Sequence, residues 1–153
     1  MNADKKIKSI FENYHKIILS CEKGIIEDTD PIYLHDFRVS LRKTRSLLKQ
    51  FKHYISDESF DFAVKLKKIA NETNHLRDLD VFIFSKDQYR SLVPSEFQTG
   101  LDTFFDELER HKNSELKKVY KLIHSKIYEK TNTGWEKIYS SEKSILKPDI
   151  KSP

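Results

Sequence analysis

The chain has few of the residues that cross-link or interrupt a polypeptide. Its 153 residues include one cysteine, three glycines and four prolines. The single cysteine excludes an internal disulfide, and so little glycine and proline leaves little of the turn chemistry that many short strands require. The sequence also lacks a run of about 20 apolar residues that could span a bilayer. A chain of this length suits one well-buried domain, and its composition favours long helices.

Apolar residues recur at helical spacing in the first third of the chain. They predict a helix over about residues 4–25, with Cys21 as a small core residue on its apolar face. Asp30 is a good N-cap and Pro31 suits the first helical position, so a second helix begins there. The apolar pattern of this second helix continues to about His53.

The same spacing continues through the rest of the chain. A third pattern covers residues 56–91, with a break or kink near Asn74, where a left-handed backbone is tolerated. A fourth covers residues 94–127 and is predicted to end at the polar segment 131–134. A short fifth helix follows from Trp135.

Together these elements predict an all-α fold. Long helices joined by short turns favour an up-and-down bundle of about four antiparallel helices, with the short helix at its C-terminal end. We expect a single domain over residues 1–146. The polar residues 147–153 are predicted to be a disordered tail.

The most informative stretch lies on the second helix and is named here the basic ridge. It consists of His35, Arg38, Arg42, Arg45 and Lys49, at steps of three, four, three and four residues. At about 100° per residue, the five side chains fall within an arc of about 80° on one helical face. The ridge borders an apolar stripe of Leu34, Phe37, Leu41 and Leu48.

The basic ridge concentrates charge in one place. Residues 35–53 hold six lysines or arginines and one acid, which gives this segment a charge of +5 in a chain of +4. Like charges at this spacing repel by a few tenths of a kcal/mol per pair, so a bound anion would stabilise them. Three of the five residues are arginines, whose planar fork suits bidentate phosphate contacts. The ridge therefore predicts an anion site, although a solvated helix face is the simpler alternative.

A second cluster of charged residues follows on the third pattern. Arg77 and Asp80 are three residues apart and share a helical face, whereas Asp78 points about 100° away from Arg77. We expect Asp78 and Asp80 to accept hydrogen bonds from arginines of a neighbouring helix and to hold them in place. The alternative is a catalytic carboxylate, for which no base or nucleophile is visible. The histidines show no metal-ligand spacing, so no metal site is predicted.

These residues carry a resemblance to a known family. The segment His35-x-x-Arg38-Val-x-x-Arg42-Lys-x-Arg45, followed by Leu76-Arg77-Asp78-Leu79-Asp80-Val81, resembles the CHAD domain, the conserved histidine α-helical domain. The resemblance implies an all-helical domain that binds inorganic polyphosphate without catalysis and without a cofactor. By position, the ligand-facing residues would be the five of the basic ridge, joined by Lys67 and Arg77.

The resemblance covers about residues 1 to 130 and only one half of the family's pattern. As the resemblance implies, a full CHAD domain contains two similar helical bundles. Each bundle has its own helix with a histidine and basic residues. The later basic segment 117–124 lacks the order of the ridge. We therefore expect the N-terminal half alone. Either this half binds its ligand by itself in a shallow site, or two copies pair to rebuild the missing symmetry. The homodimer is the favoured alternative, since twofold dimers are the commonest oligomers.

Two other functions use the same residues. A nucleic-acid-binding module would hold phosphates on the ridge, but Phe37 and Phe51 lie on or near the apolar side, where they cannot stack on bases. Nucleic acid is therefore the less favoured partner. A metal-dependent enzyme acting on phosphorylated substrates would need Asp78 or Asp80 as a ligand. We expect a cytoplasmic protein with no membrane partner, compatible with association with polyphosphate granules.

Overall fold

The computed structural model describes residues 2–148, without the side chain of Phe60. Within this range the chain forms α1 (Ala3–Glu27), α2 (Pro31–Gln50), α3 (Asp57–Glu72), α4 (Asn74–Phe84), α5 (Lys86–Leu92), α6 (Gln98–Ile123) and α7 (Lys126–Ser140). A short 3-10 turn at Ser95–Phe97 precedes α6. No strand forms in these residues, where one isolated antiparallel bridge joins Ile55 and Leu146. The prediction of an all-α fold is confirmed.

The predicted starts of the second and third helices are confirmed by their caps. The Asp30 carboxylate accepts a hydrogen bond from the Ile32 amide at 2.9 Å, and Pro31 follows at the first helical position. The Ser56 hydroxyl accepts one from the Ser59 amide at 3.4 Å. Each side chain satisfies an amide that the first helical turn leaves without a backbone partner.

The third apolar pattern folds into three helices, since the chain breaks at Thr73 and Ser85. The break near Asn74 was predicted, but its cause differs from our expectation. Among the described residues, Asp28 is the one non-glycine residue with a positive φ, at 50°, so Asn74 is not left-handed. Instead the Thr73 hydroxyl donates to the Ala70 carbonyl at 2.8 Å, in competition with the backbone ladder that would continue α3.

The fourth pattern ends at a different place from the one predicted. Residues 131–134 lie inside α7, so the prediction that they end a helix is wrong. The break falls at Ser125, whose hydroxyl accepts from the Tyr128 amide at 3.2 Å and donates to the Leu122 carbonyl at 2.6 Å. A serine cap thus ends α6 and starts α7. As a result α7 has 15 residues and is longer than the short helix we expected.

The main core lies among α1, α2, α3 and α7. Helix α1 packs on α2 and α7, and α3 packs on the other side of the same two helices. Trp135 is 1% exposed, and its Nε1 donates to the Phe11 carbonyl at 3.0 Å. Cys21 is buried, as predicted. Gly24 lets α2 approach α1, because a Cβ at this position would overlap the ring of Tyr33.

Helices α4, α5 and the first half of α6 form a second layer beside this core. Helix α4 packs along α6, and α5 contacts both. Phe105 is buried here, outside the main core cluster, with ring centroids 5.7 Å from Phe104 and 6.4 Å from Tyr89. This layer brings α4, which carries Arg77, next to the start of α2.

The segment after α7 returns to the loop between α2 and α3. The Ser56 amide donates to the Ile145 carbonyl at 3.1 Å, and the Lys147 amide donates to the Tyr54 carbonyl at 2.8 Å. Residues 149–153 of the predicted tail lie outside the described residues. None of the helices within residues 2–148 is long and apolar enough to cross a membrane.

Candidate anion-binding site

The basic ridge lies on the face of α2 that is directed at the junction of α3 with α4. The apolar stripe beside it is buried, and its exposed fractions are 3% for Leu34 and 1% for both Phe37 and Leu41. This stripe fixes the rotation of the helix, because its burial against α1 and α3 leaves one orientation for the neighbouring face. From His35 to Lys49 the ridge extends about 21 Å, at a rise of about 1.5 Å per residue.

A cavity of about 350 Å³ opens between the ridge and the junction of α3 with α4, and we name it the basic cavity. Its lining comprises His35, Arg38, Val39, Arg42 and Arg45 of α2, Ala70 and Asn71 of α3, and Asn74 and Arg77 of α4. Four arginines and a histidine thus face one space, and no carboxylate is among these lining residues. Five of the seven predicted site residues are brought together here.

The other two predicted residues lie beside the cavity. Lys49 is exposed one turn beyond Arg45 on α2, and Lys67 is exposed one turn before Asn71 on α3. Neither lines the cavity itself. Both lie one helical turn from a residue that does, so they extend its positive surface along the two helices.

Arg38 is the anchored member of the site. Its Nη1 donates to the Ala70 carbonyl at 2.9 Å and to the Thr73 hydroxyl at 2.6 Å. These acceptors lie at the C-terminal end of α3, where unpaired carbonyls and the helix dipole favour a cation. Helix α3 therefore holds the Arg38 guanidinium at the cavity wall.

Burial and the neighbouring arginines oppose the positive charge that these acceptors favour. Burial lowers the pKa of Arg38, and repulsion by Arg77 and Arg42 acts in the same direction, against an opposing attraction from Asp78. The arginine side-chain ion pairs of the described residues are made by Arg90 and Arg110, both outside this site. The cavity arginines repel each other without a carboxylate partner within ion-pair distance, so a bound anion would relieve that repulsion.

Asp80 has a different partner from the arginine we predicted. It is 4% exposed, and its Oδ1 lies 3.1 Å from the Lys112 Nζ on α6. The same Nζ lies 3.1 Å from Oδ2 of Asp28, at the end of α1. Asp80 thus pairs with a lysine of α6 and not with an arginine of α2. Asp78 is exposed and acts on Arg38 through its charge alone.

Lys112 is a residue that the sequence analysis missed. Burial opposes its charge, but Asp28 and Asp80 outweigh that penalty and raise the pKa of Lys112. Burial also raises the pKa of Asp80, and Lys112 only partly offsets this. The lysine connects α6 to α4 and to the turn before α2, so it fixes Arg77 relative to the ridge. No local pattern marks it, because its partners lie 32 and 84 residues away in the sequence.

A more apolar cavity of about 390 Å³ adjoins the basic cavity and shares His35 and Arg77 with it. Its walls include Ile32, Val81 and Phe84, and Phe84 is 85% exposed. Phe37 is buried and Phe51 packs against the core, as expected. Unlike these two rings, Phe84 is exposed beside the site, and the sequence analysis did not consider it.

The described residues contain no cluster of three or more histidine, cysteine or acidic side chains suited to a metal ion. The basic cavity provides cationic groups from the arginines and amide groups from Asn71 and Asn74. An arrangement of this kind can bind and orient several phosphate groups.

Comparison with models of known families identifies the family of the chain. The sequence model of the CHAD domain matches residues 9–151, nearly the whole chain. The protein therefore belongs to the CHAD domain family, and the resemblance stated from the two motifs is confirmed. The match extends beyond the residues 1 to about 130 that the motifs indicated. No curated protein matches the chain.

Proposed function

We propose that this protein binds inorganic polyphosphate in the basic cavity, without catalysis. The observation that carries the proposal is the convergence of four arginines and a histidine on one space of about 350 Å³ whose lining residues include no carboxylate. The repulsion among these groups disfavours the empty site. Phosphate oxygens would accept the guanidinium hydrogen bonds that the protein leaves unused.

The length of the basic ridge favours a polymer over a single phosphate. The ridge extends about 21 Å, and Lys49 and Lys67 continue it beyond the cavity. One phosphate group can contact only a few of these cations. A linear polyanion can contact them in succession, and each contact releases counterions and adds to affinity.

The absence of carboxylates from the cavity lining supports binding without catalysis. A metal-dependent phosphoryl transfer needs acidic side chains to hold the divalent ion. Asp80 is engaged with Lys112, and Asp78 does not line the cavity. Binding that is insensitive to a chelator would support this part of the proposal, and hydrolysis of polyphosphate upon addition of Mg²⁺ would contradict it.

Single-stranded nucleic acid is the second candidate, and Phe84 is the observation that favours it. A base could stack on this exposed ring while its phosphate contacts Arg77. Replacing Phe84 with alanine separates the candidates. If nucleic acid is the ligand, the variant should lose RNA binding by about 1–3 kcal/mol, whereas polyphosphate affinity should not change.

A double charge reversal tests the proposal directly. Arg42→Glu with Arg45→Glu removes two cavity cations that make no hydrogen bond to the described part of the protein, so the fold should persist. Two charge-assisted contacts of about 1.5–3 kcal/mol each predict at least a 100-fold loss of polyphosphate affinity. The control is Lys117→Glu with Lys121→Glu, which changes the net charge equally at two exposed lysines of α6. Equal losses of polyphosphate affinity in both variants would show that the basic ridge is a solvated helix face and not a binding site.

The proposal includes a homodimer. Large apolar side chains are exposed on the layer formed by α4, α5 and α6, with 85% of Phe84, 74% of Leu92 and 62% of Phe97 accessible. Apolar surface of this kind is typical of interfaces. Sedimentation equilibrium should show a dimer that Leu92→Glu weakens. A wild-type protein that stays monomeric at high concentration would contradict this part.

The expected location follows from the ligand. A polyphosphate binder with these properties would act in the cytoplasm and associate with polyphosphate granules. A fluorescent fusion should follow the granules, and the fusion with Arg42→Glu and Arg45→Glu should be diffuse. Equal granule association of both fusions would contradict the proposed role.

A further inference from the structure

A second positively charged groove lies on the opposite flank of α3. Its volume is about 440 Å³, and we name it the lysine groove. Its lining comprises Lys65 of α3 with Lys126, Glu129, Lys130, Thr133, Gly134 and Lys137 of α7. Four lysines and one glutamate give it a charge of +3. None of these lysines lines the basic cavity, and neither motif of the sequence analysis includes them.

The lysines of this groove have no carboxylate partner in the described part of the chain. The lysine ion pairs there are made by Lys8, Lys16, Lys23, Lys112, Lys118 and Lys147. On α7, Lys126, Lys130 and Lys137 fall within an arc of about 40°, so they repel each other along one face. As in the basic cavity, an anion would stabilise the arrangement.

One row of side chains on α3 connects the two sites. Lys65 lines the lysine groove, Asn71 lines the basic cavity, and Lys68 lies between them at steps of three residues. Neighbours at this spacing are about 5–6 Å apart, so the row spans about 11 Å. Lys65 and Lys68 are exposed, and no acid occurs on α3 between Asp61 and Glu72. The positive surface is therefore continuous from one site to the other.

The positive surface ends beyond the lysine groove. The next cavity along α3 shares Lys65, Gly134 and Lys137 with it, but its lining also includes Glu58 and Asp61. These acids reduce the positive potential at that end. A polyanion crossing α3 would therefore follow the lysines of α7.

We propose that the lysine groove is a second subsite for the same polyphosphate chain, reached over α3 through Lys68. This inference rests on the proposed function, because the first subsite is the basic cavity. It specifies the ligand by length: a chain that fills only the basic cavity does not touch α7, whereas a long chain binds both sites at once. The second site then acts at a high effective concentration and raises the overall affinity.

The test compares a short and a long ligand on two matched variants. Lys126→Glu with Lys130→Glu reverses two groove lysines, and Lys117→Glu with Lys121→Glu reverses two exposed lysines at the same spacing on α6. Binding of inorganic tripolyphosphate and of long-chain polyphosphate is measured by calorimetry over a range of salt concentrations. Circular dichroism checks that both variants remain helical.

We expect the groove variant to bind long-chain polyphosphate at least about 10-fold more weakly than the α6 variant does, since two cation–phosphate contacts are lost. The expected loss is smaller than that for Arg42 and Arg45, because contacts of exposed lysines are screened by water and are not bidentate. Its dependence on salt should also be shallower, by about 1.4 in the log–log slope. Its affinity for tripolyphosphate should match that of the α6 variant.

Two results would overturn the inference while leaving the proposed function intact. One is an equal loss of long-chain affinity in both variants, which would indicate a general effect of net charge. The other is a groove variant whose tripolyphosphate and long-chain affinities fall by the same factor. If the wild-type protein binds neither ligand, the proposed function fails and this inference fails with it.

Discussion

Replacing Lys112 with methionine tests how α6 supports the site. The change keeps the length of the side chain but removes a charge that lies 3.1 Å from carboxylate oxygens of both Asp28 and Asp80. The Lys112 side chain is 11% exposed and that of Asp80 is 3% exposed, so water can replace little of this interaction. Asp80 would remain as a buried carboxylate without its cation.

The expected loss of stability follows from that burial. Removing one partner of a buried ion pair costs about 3–5 kcal/mol. The lower end applies here, because Asp80 can take up a proton when its partner is absent. A loss of about 3 kcal/mol lowers the melting temperature by about 6–12 °C in a domain of this size. Thermal unfolding followed by circular dichroism measures both quantities.

The dependence on pH identifies Asp80 as the cause. Burial raises the pKa of Asp80, and removing Lys112 should raise it further. A carboxyl group with a raised pKa contributes stability below its ordinary value of 3.8 and loses that contribution as the pH rises through the folded value. The stability deficit of the variant should therefore be larger at neutral pH than in acid.

Two further variants complete the test. Lys118→Met removes an exposed lysine of the same helix, paired with Glu115, and should cost less than about 1 kcal/mol. Adding Asp80→Asn to Lys112→Met should recover part of the lost stability, because the unpaired charge is gone. If Lys112→Met lowers the free energy of unfolding no more than Lys118→Met does, the ion pairs of Lys112 do not support the fold as described.

Three other substitutions have definite expected outcomes. Gly24→Ala should destabilise the protein by about 1–2 kcal/mol in urea unfolding, because the new Cβ overlaps the ring of Tyr33. At Gly100 a new Cβ meets nothing within 4 Å, so Gly100→Ala should stabilise the protein by up to about 1 kcal/mol. Equal effects of the two substitutions would contradict this prediction. Thr73→Val should lower the free energy of unfolding by about 1.5–3 kcal/mol and weaken polyphosphate binding, because the Arg38 guanidinium loses an acceptor at 2.6 Å. Unchanged calorimetric titrations and melting curves would refute this prediction. Burial lowers the pKa of His15, so the contribution of the neutral His15 to stability is complete above pH 6.5 and declines as the pH falls. His15→Gln should therefore flatten the dependence of the unfolding free energy on pH below pH 6.5. An unchanged slope in this range would contradict the prediction.

Local signals in the sequence were sufficient for most of the fold. The apolar stripe of α2 determined which face is buried, so the basic ridge followed from helical geometry alone. The cap at Asp30 and the start of the third helix near Ser56 were predicted, because a capping side chain acts within three residues of its own position. Ser125 carries the same signal and was missed, because the apolar pattern continues past it and the polar segment 131–134 looked like the stronger stop.

The parts that could not be predicted depend on contacts between distant residues. Nothing near Asp80 in the sequence indicates that its partner is Lys112, since the packing of α4 on α6 creates that contact. Asp28 joins the same bridge through a third helix. Phe84 is a similar case, because its position at the end of α4 next to α2 follows from the tertiary arrangement and from no repeat in the sequence.

The basic cavity has a consequence for folding as well as for binding. Its walls come from α2, α3 and α4, which separate when the chain unfolds, so an anion that binds there has no equivalent site in the unfolded chain. Mass action then makes the ligand a stabiliser, by about 2.7 kcal/mol when its concentration is 100 times the Kd. Amide hydrogen exchange should slow most at the α3–α4 junction, where Arg38 meets the Thr73 hydroxyl. The protein would therefore have a higher free energy of unfolding in cells that are rich in such an anion than in cells that lack it.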